Sequence, residues 1–361
     1  MAAHSGTLPH PYFRPPRSGA VPLIAPRELK ALLGSDRPPI LLDVRPPRER
    51  RLARLPNDRA LPLEEMERAL PTLPHDRPIV AYDHLGFRAR LAVGFLQERG
   101  WPLAAALEGG IDEYARTADP SVPRYPPDDP AARLLLVQLP RPDTGCLAYL
   151  VADADAEEAV VIDPGRDVAP YRALLGEHGF RLRAIVETHT HADHLAGHAA
   201  LHGATDAPIY VSRRSPAAYP HEILEEGSTI EFGGEAIHVI ETPGHTRDHL
   251  TLRLGDRVFT GDTMLLGACG RTDLGDGSPD LLWSSLTEKL LRLPDATEVY
   301  PAHFGARHAL PDRYVSTIGF ERSTNEALRQ GSLDAFRRYM TEGWPAKPED
   351  FDRIVTANLE A

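Results

Sequence analysis

The segment Thr188-His189-Thr190-His191-Ala192-Asp193-His194 sets three imidazoles and a carboxylate within six residues, directly after the apolar run Arg183–Thr188. A short apolar run of this kind reads as a buried strand. The strand fixes the backbone at its end, and the turn beyond it lets alternate side chains converge, as a divalent cation requires. Three further candidates also follow strand-like runs: His245 in TPGHT, Asp262 in FTGD and His303 in YPAH. One histidine in a loop would be unremarkable. Four ligand-bearing segments in this order predict a metal centre at the edge of a sheet.

The rest of the chain divides around that centre. Its 361 residues are enough for two domains, each able to bury a core. From Ala25, short apolar runs (PILLDV, Pro39–Val44; PIVAYD, Pro78–Asp83) alternate with helical ones. That order predicts a parallel α/β domain over 25–118. One helix is expected over Phe87–Arg99, with Leu91, Phe95 and Leu96 on its inner face. The proline-rich stretch 119–130 reads as a linker. Beyond it, strands dominate and helices punctuate, with helices expected over Val168–His178 and near Leu195–His202. A sandwich of two sheets covered by helices is predicted over 131–319, with a helical extension over 320–361. In the Leu195–His202 helix, His194, His198 and His202 would share one face, with only His194 at the centre and the other two in solvent.

Composition narrows the partners. Forty basic against 52 acidic residues give a net charge of −12, which disfavours a phosphate backbone and hence nucleic acid. No apolar run is long enough to span a bilayer, so no membrane partner is expected. Five prolines between Pro9 and Pro22 would break a presequence helix, and residues 1–24 are expected to be a disordered lead-in. The two cysteines, Cys146 and Cys269, cannot staple a secreted scaffold, which points to a reducing, cytoplasmic setting. Cys269 reads as a small buried hydrophobe rather than a redox thiol, and Cys146 receives no role. A homodimer is left open.

The ligand motifs resemble the H-x-H-x-D-H pattern, followed by His, Asp and His, of the metallo-β-lactamase superfamily. The resemblance covers roughly Arg133–Gly319 and implies an αββα sandwich with the metal at one edge of its sheets. Two further stretches, Ala268-Cys269-Gly270-Arg271-Thr272-Asp273 and the tail from Ser316 through KPEDFDRIVTANL, resemble the persulfide dioxygenases, a branch related to glyoxalase II. That branch implies one Fe(II) per chain on His189, His245 and Asp262, with O2 and a low-molecular-weight thiol persulfide such as glutathione persulfide as substrates and sulfite as product. Two imidazoles and a carboxylate leave open positions on the metal. His191, Asp193, His194 and His303 would then orient ligands. Alternatively, if all seven bound metal, two Zn(II) ions would activate water for thioester hydrolysis, as in glyoxalase II. Arg271 is the expected contact for a substrate carboxylate. Relatives that act alone carry Asp-Tyr-x-Gly after the last His. Here the run is His303-Phe304-Gly305-Ala306, so no tyrosine is available to carry over.

Residues 25–118 resemble a rhodanese domain through LLDVRPPRE, LPLEEM, IVAYDHLGFRAR and LEGGIDEY. Active members hold a cysteine thiolate in a cradle of backbone N–H groups. Asp83 occupies that position here, and the chain has no cysteine before Cys146. Sulfur transfer by this domain is therefore expected to be absent. Its expected role is docking, with the Asp83 carboxylate filling the cradle itself; a pocket using Arg88 for a sulfur-bearing anion is the alternative.

Overall fold

The computed structural model describes residues 21–125, 134–141, 145–303, 314–342, 344, 347 and 350–360. The chain divides into two compact units, 1–135 and 136–361. Most of the expected lead-in lies outside the described residues, but its end does not.

In the first unit five strands form one parallel sheet: β1 (Leu23–Ile24), β2 (Ile40–Asp43), β3 (Arg59–Ala60), β4 (Ile79–Tyr82) and β5 (Ala104–Leu107), in the order β1-β5-β4-β2-β3. Leu23 and Ile24 pair with β5, so the domain begins before Ala25 and the lead-in is shorter than expected. At the other end, the reading of 119–130 as a linker needs correction as well. Val122 and Tyr125 are buried, and the Tyr125 hydroxyl accepts from Arg45 at 2.9 Å, so this part of the proline-rich stretch packs on the domain. Residues 126–130 lie outside the described residues.

The helix Phe87–Glu98 lies where expected but turns a different face inward. Ala89, Ala92, Val93 and Leu96 are buried, whereas Leu91 is 65% exposed and Phe87 71%. Small side chains let the helix approach the sheet closely, and that close fit outweighs the larger apolar residues.

The second unit holds two six-stranded sheets. One is built from β6 (Leu134–Arg141), β7 (Cys146–Asp153), β8 (Glu158–Ile162), β9 (Arg181–Val186), β10 (Ile209–Ser212) and β11 (Glu222–Leu224), ordered β11-β10-β9-β8-β7-β6. The other takes β12 (Thr229–Phe232), β13 (Glu235–Glu241), β14 (Leu250–Leu254), β15 (Arg257–Gly261), β16 (Glu298–Pro301) and β17 (Ser316–Thr317) in sequence order. Every residue of β7 is buried, as befits a strand covered on both faces. Across the sheets, Tyr149 packs edge-on against Phe259 and Tyr300, with centroids 5.0 and 5.8 Å away, and its hydroxyl donates to the Pro301 carbonyl. At the sheet ends, Leu147 N–H donates to Ala302 O and Leu250 N–H to Thr188 O, each at 2.7 Å. These two links tie the start of β7 to the end of β16 and the start of β14 to the end of β9, near where the predicted ligands emerge. The architecture is the αββα sandwich expected from the sequence.

Two helix boundaries differ from expectation. The helix expected near Leu195–His202 runs from His198 to Thr205, so His194 precedes it and the three histidines do not share a face. The C-terminal extension opens at Ile318 with the helix Ile318–Thr324 and continues through Leu333–Tyr339 and Phe351–Glu360. No helix among the described residues is long and apolar enough to cross a membrane.

Candidate metal centre

β9 delivers His189 to the edge of the sheet, and the residues behind it set its orientation. Asp163, at the end of β8, takes a left-handed backbone with φ 51°, a conformation a residue with a Cβ holds only where its surroundings impose it. Its two carboxylate oxygens accept from Thr188 N–H at 2.7 Å and Thr188 Oγ1 at 2.8 Å. Thr188 Oγ1 has thereby spent its proton and accepts from Nδ1 of His189 at 2.9 Å. His189 Nε2 is left buried and, among the described residues, unpartnered, with its lone pair available. Burial, reinforced by the neighbouring histidines, holds His189 well below the usual histidine range, so the ring stays neutral and able to ligate.

His245 follows the same logic. Its Nδ1 donates to the Arg271 carbonyl at 2.6 Å, which turns Nε2 toward Asp262 Oδ2, 3.5 Å away. Asp262 leaves β15 and accepts from His303 Nδ1 through Oδ1 at 2.7 Å. Donor atoms of His189, His245 and Asp262 all lie within 4.8 Å of one another, and all three residues are buried. An unpartnered imidazole nitrogen facing a second imidazole and a carboxylate fits a cation. Burial acting alone would raise the Asp262 carboxyl, but the His303 ring beside it holds it well below the usual range.

Gly270 explains why the CGRTD segment belongs here. A Cβ on it would stand 2.2 Å from Asp262 O and 2.9 Å from His245 Nδ1. Only a glycine lets the backbone pass against both residues, so that the next carbonyl reaches His245.

Three of the remaining predicted residues, His303, Asp193 and His194, form a hydrogen-bonded chain with Cys146 beside this triad. His303 Nε2 donates to Asp193 Oδ2 at 2.7 Å, the Cys146 thiol donates to the same oxygen at 2.8 Å, and His194 Nδ1 lies 3.2 Å from Asp193 Oδ1. Burial would lift the Cys146 thiol, but the rings of His303 and His194 bring it down to about 7. Donor atoms of Cys146, Asp193 and His194 form a second group within 4.8 Å.

His191 faces away from this chain. Its Nε2 lies 3.0 Å from Glu187 Oε2 and 3.3 Å from Asp163 Oδ1, and those carboxylates, opposing burial, hold it well above its usual range. His198 is buried, not in solvent as expected, because its Nδ1 donates to Glu187 Oε1 at 2.9 Å. His202 is exposed, its Nδ1 on the Ala207 carbonyl. Cys269 sits in the core with its sulfur 3.7 Å from Met340 Sδ. The Arg271 guanidinium grips Asp273 with two bonds of 2.7 and 2.9 Å.

Several contributors were not singled out in the sequence: Asp163, Glu187, Cys146, Asp248 and Asn358. Asp248 accepts from Thr190 N and Oγ1 at 3.0 and 2.6 Å. Asn358, from the C-terminal helix, donates to the carbonyls of His191 and His194 at 3.0 and 2.9 Å and accepts from Ala196 N–H at 2.8 Å. Asp163-Pro164-Gly165 at a strand end was a readable turn signal; Asn358 lies in the KPEDFDRIVTANL stretch that carries the resemblance, but more than 160 residues from the loop it fastens, so nothing local gave it that contact.

In the first unit, Asp83 is buried and its Oδ2 accepts from Arg88 N–H at 3.0 Å. The Arg88 side chain is paired with Glu49 at 2.7 Å.

The model of the metallo-beta-lactamase superfamily matches residues 141–303, and that of the rhodanese-like domain residues 25–117. The mitochondrial persulfide dioxygenase ETHE1 of Homo sapiens is 37% identical over 231 residues, covering 63% of this chain and 89% of the relative. The chain belongs to the metallo-β-lactamase superfamily, on its persulfide dioxygenase branch. Among solved structures, ETHE1 from Myxococcus xanthus superposes with a TM-score of 0.58 at 33% identity, over 62% of this chain and 97% of that one. A hydroxyacylglutathione hydrolase of Cereibacter sphaeroides is 35% identical over 220 residues, covering 58% of this chain and 80% of the hydrolase. This member of the superfamily therefore carries a rhodanese-like domain ahead of its metal-binding fold.

Proposed function

We propose that the chain is a persulfide dioxygenase that oxidises the outer sulfur of a low-molecular-weight thiol persulfide, glutathione persulfide or an equivalent, to sulfite. One persulfide, one O2 and one water yield one thiol, one sulfite and two protons. The observation that carries this reading is the convergence of His189, His245 and Asp262, with Asp193 and His303 committed to each other beside them.

In this reading those three residues hold a single Fe(II), which when bound supplies open coordination positions and a redox couple for sulfur and O2. The Thr188 hydroxyl and the Arg271 carbonyl fix both histidines with Nε2 outward, so no reorientation precedes binding. His303 holds one oxygen of Asp262 and leaves the other facing His245. Both cysteines of the protein are buried and not joined in a disulfide, which suits a reducing compartment such as the cytoplasm.

Arg271 as a substrate contact requires its release from Asp273. Arg271→Ala raising KM at constant kcat would support that role; an unchanged KM would leave its carbonyl, which orients His245, as its contribution.

The second reading is a di-zinc thioester hydrolase, favoured by the Cys146, Asp193 and His194 group and by the hydrolase relative. Metal analysis joined to an oxygen-electrode trace with glutathione persulfide separates the two. About one iron per chain with O2 uptake supports the dioxygenase, whereas two zincs with thioester cleavage overturn it.

A further inference from the structure

Arg141 ends β6, and its guanidinium is anomalous. Nε, Nη1 and Nη2 are all buried, and none has a hydrogen-bond partner among the described residues. Elsewhere in the fold, buried guanidinium groups meet carboxylates: Arg45 is clasped by Asp43, and Arg124 by Asp112. A buried cation without a counter-charge is costly, and the carboxylates nearest in sequence to the centre do not relieve it. Asp163 is spent on Thr188, and Glu187 on His191 and His198.

The fold makes room for this side chain. A Cβ on Gly165 would lie 2.4 Å from Arg141 Nη1 and 2.8 Å from Cδ. Gly165 does not have a positive φ, so glycine serves here for space rather than for backbone freedom. The turn under the guanidinium is held by Gly165 N–H donating to Tyr171 Oη at 2.9 Å and by Gly197 N–H donating to Pro164 O at 2.7 Å. Gly165 also bridges Ala196, two residues beyond His194. On the other side, Gly145 N–H closes onto Arg141 O at 2.8 Å, immediately before Cys146. The guanidinium thus lies where three parts of the metal centre meet: the end of β6, whose carbonyl Gly145 reaches just before Cys146, the turn after Asp163 and the chain leaving His194.

We infer that Arg141, seated on Gly165, is an anion subsite of the metal centre that takes a small planar or pyramidal oxyanion through its fork of N–H donors. Resting on the persulfide reading, two sources share that chemistry: a carboxylate on the carrier thiol of the substrate, and the sulfite product.

The test uses the full-length protein, Arg141→Gln, and Gly165→Ala, which keeps the arginine but displaces it. Thermal shifts are measured with sodium sulfite, with reduced glutathione, and with cysteamine, a thiol without a carboxylate. Stabilisation by glutathione but not cysteamine, weakened about tenfold or more in both variants, establishes the carboxylate source. KM for glutathione persulfide should then rise in Arg141→Gln while KM for cysteamine persulfide stays put. Arg141-dependent stabilisation by sulfite alone establishes the product source. Equal binding by wild type and both variants, or no binding of either anion, overturns the subsite. Because the thermal shifts need no turnover, a chain that binds glutathione through Arg141 but consumes no O2 would refute the proposed activity and leave the subsite standing.

Discussion

Nδ1 of His303 lies 2.7 Å from Oδ1 of Asp262, so the carboxylate presents its other oxygen, Oδ2, to His245 at 3.5 Å. His303 is itself held in place by Asp193. The rotation of the Asp262 carboxylate is therefore already fixed.

Removing the carboxylate and removing its orienting ring should have different effects. Asp262→Ala is expected to abolish iron retention and O2 uptake with the fold intact, because two imidazoles alone do not hold the ion. His303→Ala leaves all three donors and should weaken iron binding about tenfold, the usual scale for losing an orienting partner. Iron per chain after gel filtration, with circular dichroism as the control for folding, checks both. Full occupancy in Asp262→Ala would show the ligand assignment to be wrong.

The buried Glu187 makes a prediction about acid stability. Burial would raise its carboxyl, yet hydrogen bonds from His191 and His198 bring it from 4.5 to about 2. A carboxylate depressed in the folded state contributes stability above its unfolded value and loses it as pH falls through the folded one. His191 is raised well above 6.5, so its contribution is present below that value and is lost as pH rises through its folded pKa. Both operate together between pH 4.5 and 6.5. Urea unfolding of the metal-free chain should show stability falling from pH 4.5 toward 2, and Glu187→Gln should flatten that limb. An equally steep acid limb in the variant would remove Glu187 as its source.

The segments that converge on the candidate centre were legible because each sets a polar side chain at a strand end, a local pattern that survives without any knowledge of the partner strands. The sheet runs were legible for the same reason: apolar stretches such as Ala159–Asp163 can only be buried. What escaped depends on tertiary approach. Leu91 is as apolar as Leu96, but the sheet admits only the face carrying Ala89 and Ala92. His198 looked like a solvent residue because its partner, Glu187, is a charged residue just past the end of β9 that appears exposed in the sequence and is buried in the fold. Nothing local to Cys146 indicates that β7 and β16 bring it to within 3.2 Å of His303 Nε2.

The front domain should be inert toward sulfane sulfur. Asp83 Oδ2 already takes the Arg88 N–H at the start of the helix, and a carboxylate cannot form a persulfide. A thiosulfate-to-cyanide transfer assay on the full chain is expected to show no activity, and measurable transfer would contradict this reading. Asp83→Ala removes a cap from a helix terminus and should cost about 1 kcal/mol in the unfolding of that unit. Persulfide oxidation at the metal centre of the second unit should be unchanged, so a matching loss of O2 uptake would assign the domain a part in catalysis.

Asn358 offers the sharpest test of how the metal loop keeps its shape. One buried amide satisfies the carbonyls of His191 and His194 and the N–H of Ala196, three groups in a stretch with no strand or helix of its own. Asn358→Ala leaves all three unpartnered in the interior, at a cost of about 1–3 kcal/mol each if water cannot reach them. The expected result is an enzyme that folds at low temperature but releases iron to a chelator about tenfold more readily, since His189 and His191 share that loop. Asn358→Asp separates the two halves of the amide: its oxygen can still accept from Ala196, whereas the two carbonyls lose their donor and face a negative charge. It should therefore resemble the alanine variant rather than the native chain. Chelator competition on both variants measures this, and native iron release from Asn358→Ala would mean that the loop holds its geometry without the C-terminal helix.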